Sequence, residues 1–431
     1  MSDYIFMLES HLSSEQNQVV AEVQSATKQA GVSLFLTGGA MRDMLGGFQI
    51  RDLDFTIEGN GLKVAKSIAQ KSGARIVSQD ELRRSAELEF PNGATAQVAM
   101  ARTETYRKPG AKPQIEPATI QEDLRRRDFG VNAIALSLAQ ASMGLLLDPT
   151  NGQADLGRKE LRTLHSMSFY DDPIRLLRLL RYRIRLGFSV EDRTASQWRN
   201  TRDAKVEDLI PARTLFGELS QIAEEPNPSA VVAALEEEGL LRLLAPGLAG
   251  PKVDHAGLAK LDKASKLLPP SVSRKEHFGP FLYALTAKLS AKEKAGLVAN
   301  TAMLKIESER WQKLEVRSKK LEKAVRAPGL RKPSQVYNVL KTAAGEEMLF
   351  LLYHSESKTI QERLRNHLQK YIELAEEITD ADVAATGIQP GSPKFAKTKE
   401  AMMNARLDGK TRKPEPPPMD ANPEPMGRGR R

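Results

Sequence analysis

The chain has 431 residues, enough for two or three domains, and its 40% hydrophobic content can bury cores of ordinary size. It has no cysteine, which excludes disulfides, thiolate zinc sites and thiol nucleophiles and fits a reducing compartment. No stretch approaches the roughly 18 apolar residues of a membrane span and the first residues lack a basic region leading into an apolar run, so a cytoplasmic protein with no membrane partner is expected, while a net charge of +9 favours polyanions.

In chain order, residues 12–30 read as a helix and 34–37 as a strand running into Gly38-Gly39 and the start of a helix that carries Arg42. The glycine pair lets backbone approach a bound group closely, and N–H groups at a helix start favour an anion such as a triphosphate. A second strand, 52–57, follows. Alternate side chains of a strand share a face, so Asp52 and Asp54 point the same way while Leu53 and Phe55 enter a core. Two carboxylates on one face can hold magnesium.

Residues 62–72 have helical spacing, 86–90 and 96–100 read as strands joined by the turn Pro91-Asn92-Gly93, and 109–117 reads as a Pro-rich extended connector before a helix from Ile120. From about 165 to about 380 the chain reads as helical. In the segment 171–185, Asp171 or Asp172 can cap a helix and Pro173 suits its first turn. Its Arg175, Arg178, Arg181 and Arg185 fall within an arc of about 120°, opposite a stripe of Leu176, Leu177, Leu180 and Ile184. Such an array is either a solvated basic face or, lacking balancing acids, a place for an anion. Residues 410–431 have a disordered, basic and Pro-rich composition.

The run Gly38-Gly39-Ala40-Met41-Arg42-Asp43 followed by Asp52-Leu53-Asp54 resembles the head of the tRNA nucleotidyltransferase/poly(A) polymerase family, in its bacterial branch of template-independent enzymes. Further matches come in the family's order: Arg126-Arg127-Asp128-Phe129 with Asn132, Leu147-Asp148-Pro149, and Asp171-Asp172-Pro173 with Arg175, Arg178 and Arg181. The resemblance implies an α+β nucleotidyltransferase head, a small mixed sheet with helices, over 1–148. An all-α neck over 149–230 and a helical body and tail over 231–409 would follow.

It also implies a Mg2+-dependent enzyme that adds C, A or both from CTP and ATP to the 3′ end of tRNA or another RNA, with no obligate protein partner evident. Asp52 and Asp54 would be the catalytic metal ligands. Gly38, Gly39 and Arg42 would sit at the triphosphate, Arg127 would contact the nucleotide, and Asn132 would be a positioning residue. Asp172 and Arg175 would read the incoming base through hydrogen bonds, with Arg178 and Arg181 holding nucleotide or phosphate.

One departure stands out: where the family places a third carboxylate, before its Arg-x-Glu-x-Tyr segment, this chain has Gln97, and Glu87 or Glu89 on the neighbouring strand could substitute. Poly(A) addition to RNA 3′ ends is the competing activity, since the motifs do not separate it from CCA addition. A catalytically impaired RNA-binding relative is the third reading. An aromatic content of 5% argues against extended base-stacking platforms, so RNA would be held through phosphates and helix shape.

Overall fold

The computed structural model describes residues 3–269, 272 and 274–409, so the tail expected at 410–431 lies outside the described residues. The described residues form two compact units: one within 3–253 and 288–304, the other within 254–287 and 305–409. The expected head and neck segments, 1–148 and 149–230, both fall within the first.

The first unit opens with helices α1 (Asp3–His11) and α2 (Ser14–Ala30), the second started by a Ser13 and Gln16 capping box. Nine strands follow: β1 (Leu34–Thr37), β2 (Leu53–Ile57), β3 (Arg75–Asp80), β4 (Ser85–Glu89), β5 (Thr95–Met100), β6 (Arg102–Thr105), β7 (Gln114–Pro117), β8 (Ala135–Ser137) and β9 (Leu146–Leu147). Seven of them make one mixed sheet in the order β3-β4-β5-β2-β1-β8-β9, in which β2 and β5 are parallel and the other neighbours antiparallel. Helices α3 (Gly38–Leu45), α4 (Gly61–Ser72) and α5 (Ile120–Arg125) connect them. The apolar residues of β1 and β2 are buried, Leu36, Leu53 and Ile57 completely, so the strand ends that carry polar groups are held rigidly.

The expected connector at 109–117 is only partly extended loop: β6 and β7 pair as a separate hairpin, Arg102 opposite Pro117 and Thr105 opposite Gln114. Its proline sits at the strand end, where the missing N–H costs least. Asp52 also falls just before β2 and not within it.

The first unit continues with α6 (Gly152–Arg158), α7 (Ser168–Asp171), α8 (Arg175–Leu186), α9 (Asp192–Asp203) and α10 (Ala212–Ala223). The helix expected in 171–185 is α8, which starts two residues after Pro173; neither Asp171, which ends α7, nor Asp172 caps it, and no side chain does. Pro173 disfavours helical backbone at Asp172, which frees that carboxylate to face Arg175 at 3.6 Å. The second unit is helical among its described residues, with Leu258, Phe281, Leu282, Leu349 and Phe350 in its core.

Candidate active site

The site is built where β1 turns into α3. Gly38 has φ +63, and a Cβ there would stand 3.1 Å from both an Asp54 carboxylate oxygen and Arg127 Nη1, so both conformation and space call for glycine. The Gly39 N–H donates to Asp54 Oδ2 at 3.2 Å, and Thr37 Oγ1 donates to the Asp54 carbonyl at 3.3 Å. Asp54 is thereby fixed beneath the glycine turn.

Asp54 is half-buried and Asp52 exposed. Burial and the neighbouring Asp52 charge push the Asp54 carboxyl up to about 6, against the pull of Arg127, the Gly39 N–H and Arg42. Two like charges so close carry an electrostatic cost that a cation relieves. Among the described residues no group of three or more His, Asp or Glu side chains is gathered to hold a metal. A pair of carboxylates is nevertheless a fitting donor set for a hard divalent cation that completes its shell with water and phosphate oxygens.

Strand pairing places both carboxylates considered as substitutes for Gln97. Asp54 lies opposite Gln97 on β5, and Gln97 lies opposite Glu87 on β4, whereas Glu89 faces Thr95. Directly opposed residues share a face, so Asp54, Gln97 and Glu87 form one row. Glu87 accepts a hydrogen bond from Ser78 Oγ at 3.3 Å, on the side away from Gln97.

A cavity of about 710 Å3 opens over Asp54 and Gln97, walled also by Gly38 and Gly39 and by Asp172, Arg175 and Arg178, whereas Glu87 and Asp52 are not among the residues that line it. Arg127 and Asn132 also line it. Arg127 is held by Asp123 Oδ2 at 2.9 Å, by Thr56 Oγ1 at 3.2 Å and by the Asn132 carbonyl at 3.3 Å. Arg175 is buried and donates to Ser168 Oγ and to the Arg126 carbonyl, both at 2.8 Å, which leaves its Nε without a hydrogen bond and aimed at Asp172. Asp172 and Arg175 thus both line the cavity, with the terminal nitrogens of Arg175 already engaged by Ser168 and Arg126.

The cationic face expected on α8 is not solvated. Arg181 Nε donates to Glu218 Oε1 at 2.6 Å and its Nη1 to Glu225 Oε1 at 2.9 Å, all three side chains being buried. Arg178 meets Glu218 at 3.3 Å and Asp128 at 3.7 Å. Asp128 accepts from Asn132 Nδ2, Asn132 Oδ1 accepts from Arg42, Arg42 pairs with Asp43, Asp43 with Arg185, and Arg185 lies 3.8 Å from Glu225. The chain of charges closes on itself around Tyr182, whose ring carries the Arg42 and Arg181 guanidinium groups at 5.1 and 4.6 Å.

Arg181, expected at the nucleotide, is not among the residues lining the cavity and lies buried against Glu218 and Glu225. Arg42 is likewise buried behind the glycine turn, 3.5 Å from where a Gly39 Cβ would stand. Sequence reading missed Glu218 and Glu225 because the acids balancing α8 lie about 40 residues away. It also left unused Glu104, which lines the cavity and which burial pushes up but Arg126 and Arg102 hold down at about 2.

A glycine turn over paired carboxylates, with a cavity closed by an arginine-bearing helix, defines a nucleotidyltransferase head. Residues 34–162 match the family model of the poly A polymerase head domain. An A-adding tRNA nucleotidyltransferase of Halalkalibacterium halodurans is 31% identical over 399 residues, covering 91% of this chain and 89% of the relative. One of Geobacter sulfurreducens with the same name is 27% identical over 422 residues, 94% of this chain, which spans only 47% of that relative's length. Among solved structures, a CCA-adding enzyme in an apo form superposes with a TM-score of 0.55 over 95% of this chain and 96% of its own at 24% identity, a likeness of fold. The chain belongs to the tRNA nucleotidyltransferase/poly(A) polymerase family.

Proposed function

We propose that the protein is a template-independent RNA nucleotidyltransferase of the cytoplasm that adds C, A or both, from CTP and ATP, to the 3′ end of tRNA. The observation that carries this reading is the placing of Asp54, tied to the Gly39 N–H and charge-coupled to Asp52, across one cavity from Asp172 and Arg175. The A-adding names of the relatives support the tRNA end as the acceptor.

The reaction is in-line attack by a 3′-hydroxyl on an α-phosphate, with pyrophosphate leaving. Asp52 and Asp54 would hold Mg2+, which would supply activation of the attacking oxygen and neutralisation of charge on the leaving group. The Gly38-Gly39 backbone admits the triphosphate, and Arg127 faces it across the turn. Asp172 accepts from, and Arg175 donates to, the edge of the incoming base, so selection is made by protein and not by a template. Arg178 closes the cavity beside them.

The test is incorporation of each nucleotide separately, with Mg2+, into tRNA lacking part or all of its CCA end and into unrelated RNA. C or A on tRNA alone is expected, and Arg175→Ala should blur the choice among nucleotides more than it weakens RNA binding. Long A tracts on unrelated RNA would instead establish poly(A) addition. RNA binding without incorporation of any nucleotide would overturn the enzyme reading and make Gln97 the mark of a lapsed site.

A further inference from the structure

Asp54 and Asp52 are held in different ways. Asp54 sits inside β2, in register with Gln97 on β5, and is tied to the Gly39 N–H. Asp52 precedes the strand, is exposed, and accepts no hydrogen bond from any described residue. Its place beside Asp54 therefore depends on the backbone that delivers it, the segment 46–52 between α3 and β2.

That segment is fastened at its last residue before Asp52. Arg51 donates through Nη1 and Nη2 to Glu225 Oε2 at 3.1 and 3.2 Å, and through Nη2 to the Glu224 carbonyl at 3.3 Å. The pair is largely removed from water, with Arg51 11% and Glu225 2% exposed. Glu225 is itself fixed by its other oxygen, which accepts from Arg181 on α8. A two-pronged guanidinium contact sets direction as well as distance. The same carboxylate thus grips the helix that carries Arg175 and Arg178 and the residue that presents Asp52.

We infer that Glu225 is a positioning residue which, through Arg51, holds Asp52 at the separation from Asp54 needed to bind a divalent cation. The inference rests on the reading of Asp52 and Asp54 as the metal ligands. Partners that orient a metal ligand commonly change affinity by about 10–100-fold when removed, and a charge-neutral swap that keeps the shape falls at the lower end.

The experiment measures Mn2+ affinity of the full chain by the electron paramagnetic resonance of free Mn2+, without nucleotide, in the parent, Asp52→Asn, Glu225→Gln, Arg51→Met and the pairs Asp52→Asn/Glu225→Gln and Asp52→Asn/Arg51→Met. Circular dichroism checks folding. Glu225→Gln is expected to weaken Mn2+ about tenfold, and to add nothing in the Asp52→Asn background, because it acts only through that side chain. Should Glu225→Gln fail to fold, Arg51→Met carries the test, since Glu225 then keeps Arg181 and Arg185 as partners; the same loss and the same lack of additivity are expected. Parent-like Mn2+ affinity in Glu225→Gln or Arg51→Met, with Asp52→Asn clearly weakened, would overturn the inference and leave the metal reading standing. An equal further loss in the Asp52→Asn background would also overturn it, as a purely structural effect. Unchanged affinity in Asp52→Asn would remove the metal reading and the inference together.

Discussion

Replacing Asp54 with asparagine should stabilise the metal-free protein while abolishing nucleotide incorporation. The folded protein raises this carboxyl from 3.8 to about 6, chiefly by burial and by the charge of Asp52. At 1.36 kcal/mol per unit the ionised form costs about 3 kcal/mol, and partial solvent access reduces this to about 1–3 kcal/mol. The sign follows from proton binding: between about pH 4 and pH 6 the folded state holds the proton more tightly than the unfolded chain, so stability falls as pH rises through that window. The cost is fully present above pH 6 and absent below pH 4. Asparagine carries no charge and still accepts from the Gly39 N–H.

In thermal melts with chelator at pH 7.5, Asp54→Asn should therefore unfold about 2–10 °C above the parent, and the gap should close at pH 4. Millimolar Mg2+ should raise the parent and leave the variant unmoved. Equal melting points at both pH values would refute the claim that burial and the Asp52 charge disfavour the ionised Asp54. Incorporation at the parental rate would refute its place in the chemistry.

Gln97→Asp adds a carboxylate about 5 Å from Asp54, an attraction worth about 0.8 kcal/mol per unit charge in water and so about 1.7 kcal/mol for a divalent cation, so the Mg2+ concentration for half-maximal incorporation should fall about 15-fold. An unchanged Mg2+ dependence would place Gln97 outside the reach of the metal. Glu218→Ala leaves Arg178 and Arg181 without a shared partner in a buried setting, which should cost about 3–5 kcal/mol of stability in denaturant unfolding, with Glu218→Gln costing less. A loss under about 1 kcal/mol would show that Glu225 and Asp128 suffice to neutralise α8.

The head was legible because its signals are local. A strand, a glycine pair and a carboxylate two residues from another need only the alternation of an extended chain to be placed, and Gly38, Asp54 and Gln97 do face one cavity. Short strands without strong alternation were not legible: β7 reads as a proline-rich connector because its pairing with β6 is set by tertiary contact and not by its own residues. The start of α8 was legible to within two residues of Pro173, whereas α7, four residues long, carries no periodic pattern to read.

By itself the sequence determined which groups could do chemistry, the paired aspartates, the glycine turn and an arginine-rich helix, because residue type and spacing along one element settle those. Only the folded chain decided what the arginines are for. Arg175 and Arg178 reach the cavity, while Arg181 is spent on Glu218 and Glu225, carboxylates that burial forces into contact with it. Charge balance in a protein interior is struck between residues distant in sequence, since a buried ion must find its counterion wherever the chain brings one, and no local pattern records that choice.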